Sequence, residues 1–219
     1  MGSQEPRNVS TLKPPVAGQS YREHPATLVG FGTDNGGAWY RAFMPVSNSG
    51  IKRDARYFSP GNGRFDLLNP MGSLNLAKTP ETALRERLGR TAVNASYLPS
   101  SELDGVFIAR IDLPGTFKVA DFRRPGPGVA PGDIGGALED YSVTQQWATQ
   151  MHADGFEGII ARSRFGESET LYLFGDAGEN LKFGTCISGY KAAVDLAKDL
   201  PYFPQIIDLD SFPDHFDFE

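Results

Sequence analysis

The sequence predicts one domain in which short β-strands and a few helices share a core. Three observations predict it. The 219 residues are 40% hydrophobic and 22% charged, an ordinary balance for a chain that buries a core. Stretches with a period of two alternate with segments that carry helical spacing and helix-start residues. No internal repeat or linker-like stretch divides the chain. With Gly 25 and Pro 16, turns and long loops are expected between the elements. The body is expected at 26–207, with a flexible or surface-wrapped arm at 1–25 and an acidic tail at 208–219 that carries Phe212, Phe216 and Phe218.

The elements follow in order. Thr27 to Gly37 holds Gly30-Phe31-Gly32, part of a dinucleotide fingerprint, but Asn35 stands at the third glycine position and no helix follows, so the stretch reads as a turn. Ala38 to Met44 alternates as a strand, with Trp39, Arg41 and Phe43 on one face and Tyr40, Ala42 and Met44 on the other. Ala55 to Pro60 pairs briefly before the turn Gly61-Asn62-Gly63. Ser73 to Ala77 is a strand. Thr79 then caps a helix that has Pro80 at its first position, Glu81 in its first turn and Gly89 at its end. Gly105 to Leu113 is the strongest strand, and Phe117 to Asp121 is its continuation or partner. A Pro/Gly-rich loop runs from Arg123 to Gly136, with Arg123 and Arg124 as surface charges. A helix over Tyr141–Ala153 has Ser142 as its cap and a core-facing Trp147. Gly158–Arg162 and Thr170–Phe174 form a hairpin, Ala192–Leu200 a helix, and Pro204–Asp208 an edge strand.

Composition excludes several function classes. The net charge of −6 argues against direct nucleic-acid binding, although it says nothing about one cleft. The single cysteine, Cys186, rules out an internal disulfide and reads as a small buried residue. His24, His152 and His215 lack metal-ligand spacing, so no metal is expected. No apolar run is long enough to span a membrane, and the polar N-terminus is not a secretory signal, so the expected location is the cytoplasm.

The best candidate site lies in Gly61–Glu86, where a glycine turn delivers Arg64, a strand follows, and a capped helix carries Glu86. Alone, Glu86 also reads as a solvated helix charge. Arg41 has two readings: an arginine snorkelling from an edge strand, or one held in a cleft to grip an anion. The residues by themselves support an anion-binding α/β domain.

Arg64 after Gly63, Glu86 in Thr82-Ala83-Leu84-Arg85-Glu86, and Ser163 before Arg164 occur in an order that resembles the RES-domain family, named for arginine, glutamate and serine. Tyr40-Arg41, Gly63-Arg64-Phe65-Asp66, Leu76-Ala77 with Thr79–Glu86, and Asp154–Ile159 through Ser163-Arg164 match successive pieces of the family pattern, over roughly Ala38 to Phe174. The resemblance implies an α+β fold like that of the ADP-ribosyltransferases, with a split, curved sheet, flanking helices and an NAD cleft. It implies an NAD-consuming, toxin-like enzyme that cleaves the nicotinamide–ribose bond by phosphorolysis or hydrolysis. NAD would be a consumed substrate, inorganic phosphate the co-substrate in the phosphorolytic case, and an Xre-type antitoxin the protein partner. The alternatives are an ADP-ribosyltransferase acting on a macromolecular acceptor, and a non-catalytic NAD- or anion-binding module. Two departures stand out. Asn75 occupies a position where the family usually has tyrosine, and the chain is longer than many members.

The residue types suit that chemistry. Nicotinamide leaves as a neutral base, so the need is to stabilise an oxocarbenium-like ribose, and Glu86 is assigned that role. Arg41 and Arg64 are assigned to pyrophosphate or phosphate, because a guanidinium makes paired, charge-assisted bonds to such anions. Ser163 is expected to bond the nicotinamide ribose or the carboxamide, without acting as a nucleophile. Tyr57 is the candidate to supply the stacking ring that is missing at Asn75.

Overall fold

The computed structural model describes residues 12–45, 53–89, 91, 95–134, 141–180 and 187–208. In chain order the strands are β1 (Ala26–Gly30), β2 (Trp39–Phe43), β3 (Tyr57–Phe58), β4 (Met71–Ala77), β5 (Tyr97–Pro99), β6 (Phe107–Ile111), β7 (Thr116–Asp121), β8 (Gly158–Arg162), β9 (Glu169–Asp176), β10 (Gly178–Glu179), β11 (Ile187–Ala192) and β12 (Gln205–Ile207). The helices are α1 (Pro80–Leu88), α2 (Pro131–Ile134), α3 (Ser142–Ala153) and α4 (Ala193–Asp199). The class is α+β, as expected.

One mixed sheet of eight strands runs β1-β7-β8-β9-β4-β2-β6-β11. It is nearly two sheets. Seven residue pairs join β4 to β9, whereas β4 and β2 meet at one, Tyr40 opposite Ala77. This is the split that the α+β expectation included, and it divides a β1-β7-β8-β9-β4 half from a β2-β6-β11 half.

Side-chain alternation distributes the core. One face of both halves shares a single cluster, with Val29, Trp39, Leu74, Leu76, Ile111, Val119, Ile160 and Leu171. The opposite face carries two clusters. Phe65, Phe122, Trp147, Met151, Ile159 and Tyr172 lie between the first half and α3. Leu84, Leu98, Ile108 and Ala197 lie between α1, α4 and the second half.

Several local expectations are corrected. The start of the stretch read as a turn, Thr27–Gly30, belongs to a strand, β1, paired antiparallel to β7, and the turn follows from Phe31. Gly30 is required by packing, since a Cβ there would lie 2.0 Å from the carbonyl oxygen of Gly115. β7 does not pair with β6. It leaves that half of the sheet and lies between β1 and β8, parallel to β8. A short connection favours a hairpin, but residues 112–115 cannot register the strands when each finds its partner elsewhere. β12 pairs in parallel with β5, outside the main sheet. Ser142 does not cap α3; Tyr141 precedes it, with no side-chain cap bond. Arg123 is no free surface charge, because it grips the buried carboxylate of Asp121 through Nε and Nη2, both at 2.8 Å. Cys186, the first eleven residues and the tail from Leu209 lie outside the described residues.

From Leu12, the N-terminal arm is packed on the body. Trp147 donates its indole N–H to the carbonyl of Lys13 at 2.8 Å, and the Tyr21 N–H bonds Asp154 at 2.7 Å. Tyr21 and His24 are buried. The His24 ring packs edge-on against Phe122, 5.0 Å between centroids, and neither ring nitrogen has a bond of good geometry. Burial lowers the His24 pKa from its ordinary 6.5, against the opposing pull of Asp121. The unfolded chain therefore takes up this proton at higher pH than the folded one does. The His24 contribution is complete above the ordinary pKa and is lost as the pH falls through it toward the folded value. The urea midpoint is expected to fall between about pH 7.5 and 5.5, and His24→Phe to flatten that fall. An unchanged slope in the variant would place the acid sensitivity elsewhere.

Candidate active site

The cleft opens where β2 and β4 part. Continued past Tyr40 and Ala77, the antiparallel register would set Arg41 against Leu76 and Ala42 against Asn75. Those bonds are not made, and all four residues line a cavity of about 300 Å³. Loop 59–66 forms another wall, and α1 and the loop after β8 close the remainder.

The Gly61–Asp66 turn is rigid. The buried Asp66 carboxylate accepts the Gly63 N–H at 2.7 Å and the Asn62 N–H at 3.2 Å. Gly63 allows that approach, because a Cβ on it would sit 2.8 Å from an Asp66 oxygen. Gln145 on α3 donates its amide to the carbonyls of Gly61 (3.1 Å) and Gly63 (3.0 Å). Arg64 leaves this turn into the interior, where it is 4% exposed. Its Nη2 donates to the Arg162 carbonyl at 3.2 Å, while Nε and Nη1 are buried without partners. Arg41 is held from the other side of the split, its Nη1 bonding the carbonyls of Ala55 and Tyr57. β2 is interior to the sheet, so the snorkelling reading of Arg41 fails. Burial lowers the Arg41 pKa to about 10, partly offset by Asp66 and Asp54, which leaves it charged at neutral pH.

Glu86 reaches the cleft from the last full turn of α1. Thr79 fixes the start of that helix, its Oγ1 accepting the Thr82 N–H at 3.1 Å. The carboxylate is oriented through Oε1, which accepts from Ser163 Oγ at 2.5 Å and from the Arg164 N–H at 3.0 Å. Ser163 Oγ in turn accepts from Phe165 N and Gly166 N at 3.1 and 2.8 Å. The loop is docked on α1 by Ser168, which donates to Thr82 Oγ1 at 2.9 Å, and by Gly166, where a Cβ would lie 2.6 Å from the same oxygen.

The structure therefore brings Arg41, Arg64, Asn75 and Glu86 to one cleft and leaves out two of the expected residues. Ser163 does not line it. Its proton and its acceptor capacity are engaged by Glu86, Phe165 and Gly166, so it serves to position Glu86. Tyr57 does not line it either. It is in β3 against β10, its ring lying 4.9 Å from the Arg53 guanidinium carbon. Tyr172, the cross-strand partner of Asn75 on β9, lines the cleft as well. Arg53, Asp66, Arg87, Arg164, Phe165 and Tyr172 were not among the expected residues. For Tyr172 the available signal was the alternation of β9, but it needed the pairing of β9 with β4. Asp66 lay in plain view beside Arg64.

Five arginines and two carboxylates line the cavity, an excess of positive charge in a chain whose net charge is −6. One carboxylate is weakened further. Burial outweighs the two amide bonds and Arg41, and pushes the Asp66 pKa up to about 6. The cavity is thus a seat for an anion beside a fixed carboxylate.

Two outcomes are expected. Ser163→Ala removes a bond to a charged group and strands two backbone donors, at a cost of about 2 kcal/mol, read from denaturant unfolding. Sulfate, whose own charge is constant in this range, should bind several-fold tighter near the acid side of the Asp66 transition than above it, because protonation removes a negative charge from the cavity. Asp66→Asn should abolish that dependence in a calorimetric titration, and a dependence that survives the change would exclude Asp66 as its source.

No curated protein matches the chain. Among solved structures it is similar to a chain in the crystal structure of the M. tuberculosis MbcT–MbcA toxin–antitoxin complex, with 19% identity, a TM-score of 0.47, and coverage of 64% of this chain and 74% of that one. A likeness that slight lends no weight to fold or function. The model of a family described as the RES domain matches residues 38–185, well over half of the sequence. The chain belongs to the RES-domain family.

Proposed function

We propose that this protein consumes NAD by breaking the nicotinamide–ribose bond. The observation that carries the reading is Arg64, a buried guanidinium with two unpartnered donor nitrogens, Nε and Nη1, at a cleft that also holds Glu86. Such donors are costly to leave unmade, and an anionic substrate supplies their acceptors. Membership of the RES-domain family supports the dinucleotide as that substrate. Arg64 and Arg41 take the pyrophosphate or a phosphate co-substrate. Glu86, held through Oε1, faces the ribose.

In the reaction the ribose C1′–N bond breaks, and its electron pair leaves with nicotinamide, which becomes neutral. The ribose carbon then bonds an oxygen of water or of inorganic phosphate, and the water route also releases a proton. Glu86 stabilises the positive charge that develops on the ribose, while Ser163 and the Arg164 N–H keep the carboxylate from rotating away. Tyr172, opposite Asn75, borders the cleft but is buried against Phe65. Toxicity, a cytoplasmic site of action and an Xre-type antitoxin over the cleft belong to the same reading.

The test is product analysis of NAD incubated with the protein, with and without phosphate. Free nicotinamide is expected, together with ADP-ribose or its phosphorylated form. Glu86→Gln should lower the rate by about a hundredfold or more. Arg64→Met, which removes a buried charge at similar volume, should lose activity yet leave the unliganded fold as stable or more so. No nicotinamide under either condition would sink the proposal, and label transferred from NAD to a macromolecule would turn it into the transferase reading.

A further inference from the structure

A second recess adjoins the cleft on the same face of β2. Phe43 lies two residues beyond Arg41, so its side chain leaves that face about 7 Å further along the strand. Phe107 is its cross-strand partner on β6, with ring centroids 6.4 Å apart. Tyr190 on β11 completes the aromatic wall, 5.3 Å from Phe43. Pro45, Arg53 and Asp54 line the remainder of a cavity of about 200 Å³. The Arg53 N–H donates to the Pro45 carbonyl at 2.8 Å, which holds Arg53 at the rim.

Arg53 borders both cavities. Its guanidinium stacks on Tyr57, and its Nε is buried without a partner. A donor that lacks an acceptor thus stands between a cationic cleft and an aromatic recess. Tyr190 is 55% exposed, a large ring left partly open at the mouth. Asp54, fixed by bonds from Arg56, is the one carboxylate on the wall among the described residues.

We propose that this recess seats the adenine base of the dinucleotide, with Arg53 contacting the phosphate that connects it to the cleft. Three aromatic side chains line the recess, and the half-exposed Tyr190 ring can stack on a flat heteroaromatic base. Asp54 is an acceptor for an exocyclic amine, and Arg53 satisfies its orphaned donor on the passing phosphate. The inference rests on reading the cleft as an NAD site and deepens it by naming how the remote half of the substrate is held. Binding energy gained there would position the ribose at Glu86.

The experiment compares NAD with nicotinamide mononucleotide, which lacks the adenosine half. The ratio of their kcat/KM values is expected to fall about tenfold in Tyr190→Ala, and Tyr190→Phe, which keeps the ring, should retain the preference. If NAD is cleaved but the ratio is the same in Tyr190→Ala, the recess is not a base site, and the cleavage reading stands. If neither substrate is cleaved by the wild-type protein, the cleavage reading falls, and calorimetry with AMP decides the recess by itself. AMP binding that weakens about tenfold in Tyr190→Ala supports it. AMP binding equal in both proteins, or absent from both, overturns it.

Discussion

Strands β2 and β4 touch at one residue pair, Tyr40 and Ala77, and then diverge. A sheet normally saturates the backbone of neighbouring strands along their length, and an edge left unpaired must find other partners. Here the gap is held open by what fills its sides. Arg41 turns to the carbonyls of Ala55 and Tyr57 across one face of the sheet. On the other face, Asn75 and Tyr172 sit side by side on the better-paired half. The cleft is therefore a property of the sheet itself, and each half can contribute charged groups without distorting its own core.

The anchoring is arranged so that no catalytic candidate depends on its own backbone alone. Gln145 on α3 fixes the turn that launches Arg64. Ser163, after β8, fixes Glu86 on α1. Thr82 and Ser168 fix that loop to the helix start. Each of these bonds joins elements distant in sequence. The geometry of the cleft is thus set by the completed fold, which is how a site of this type is held ready before a ligand arrives.

That dependence explains what the sequence could and could not reveal. Helix α1 was legible because Thr79, Pro80 and Gly89 are local signals, and the β8–β9 hairpin because its alternation and loop are local. The path of β7 was not, because nothing in Thr116–Asp121 says whether its partner is β6 or β8. The same limit applies to the site. Arg64 and Glu86 were visible as charges on well-marked elements. Ser163 was visible as part of a motif, but its motif could not tell a substrate contact from a support for Glu86. Arg53 and Arg87 carried no signal, since surface arginines in a loop and on a helix look the same wherever the fold takes them. Tyr57 failed for the complementary reason: nearness to the glycine turn in sequence placed its backbone, not its ring, beside Arg41.

The buried arginines connect stability to chemistry. A guanidinium with two unpartnered nitrogens lowers the stability of the unliganded protein, and a hydrophobic side chain of similar volume would serve the core better. Its presence is intelligible if the missing acceptors come with the ligand. Asp66 fits the same logic from the opposite sign. It is a carboxylate placed where burial opposes its charge, close to Arg41. Glu86 differs from both. Two donors orient it, and it keeps an oxygen for the cleft. Under the proposed reaction, the cavity separates two tasks, holding an anion on incompletely satisfied cations and presenting one oriented negative charge to a carbon that becomes positive. That separation requires two groups of residues on two rigid bodies, and the parted strands supply them.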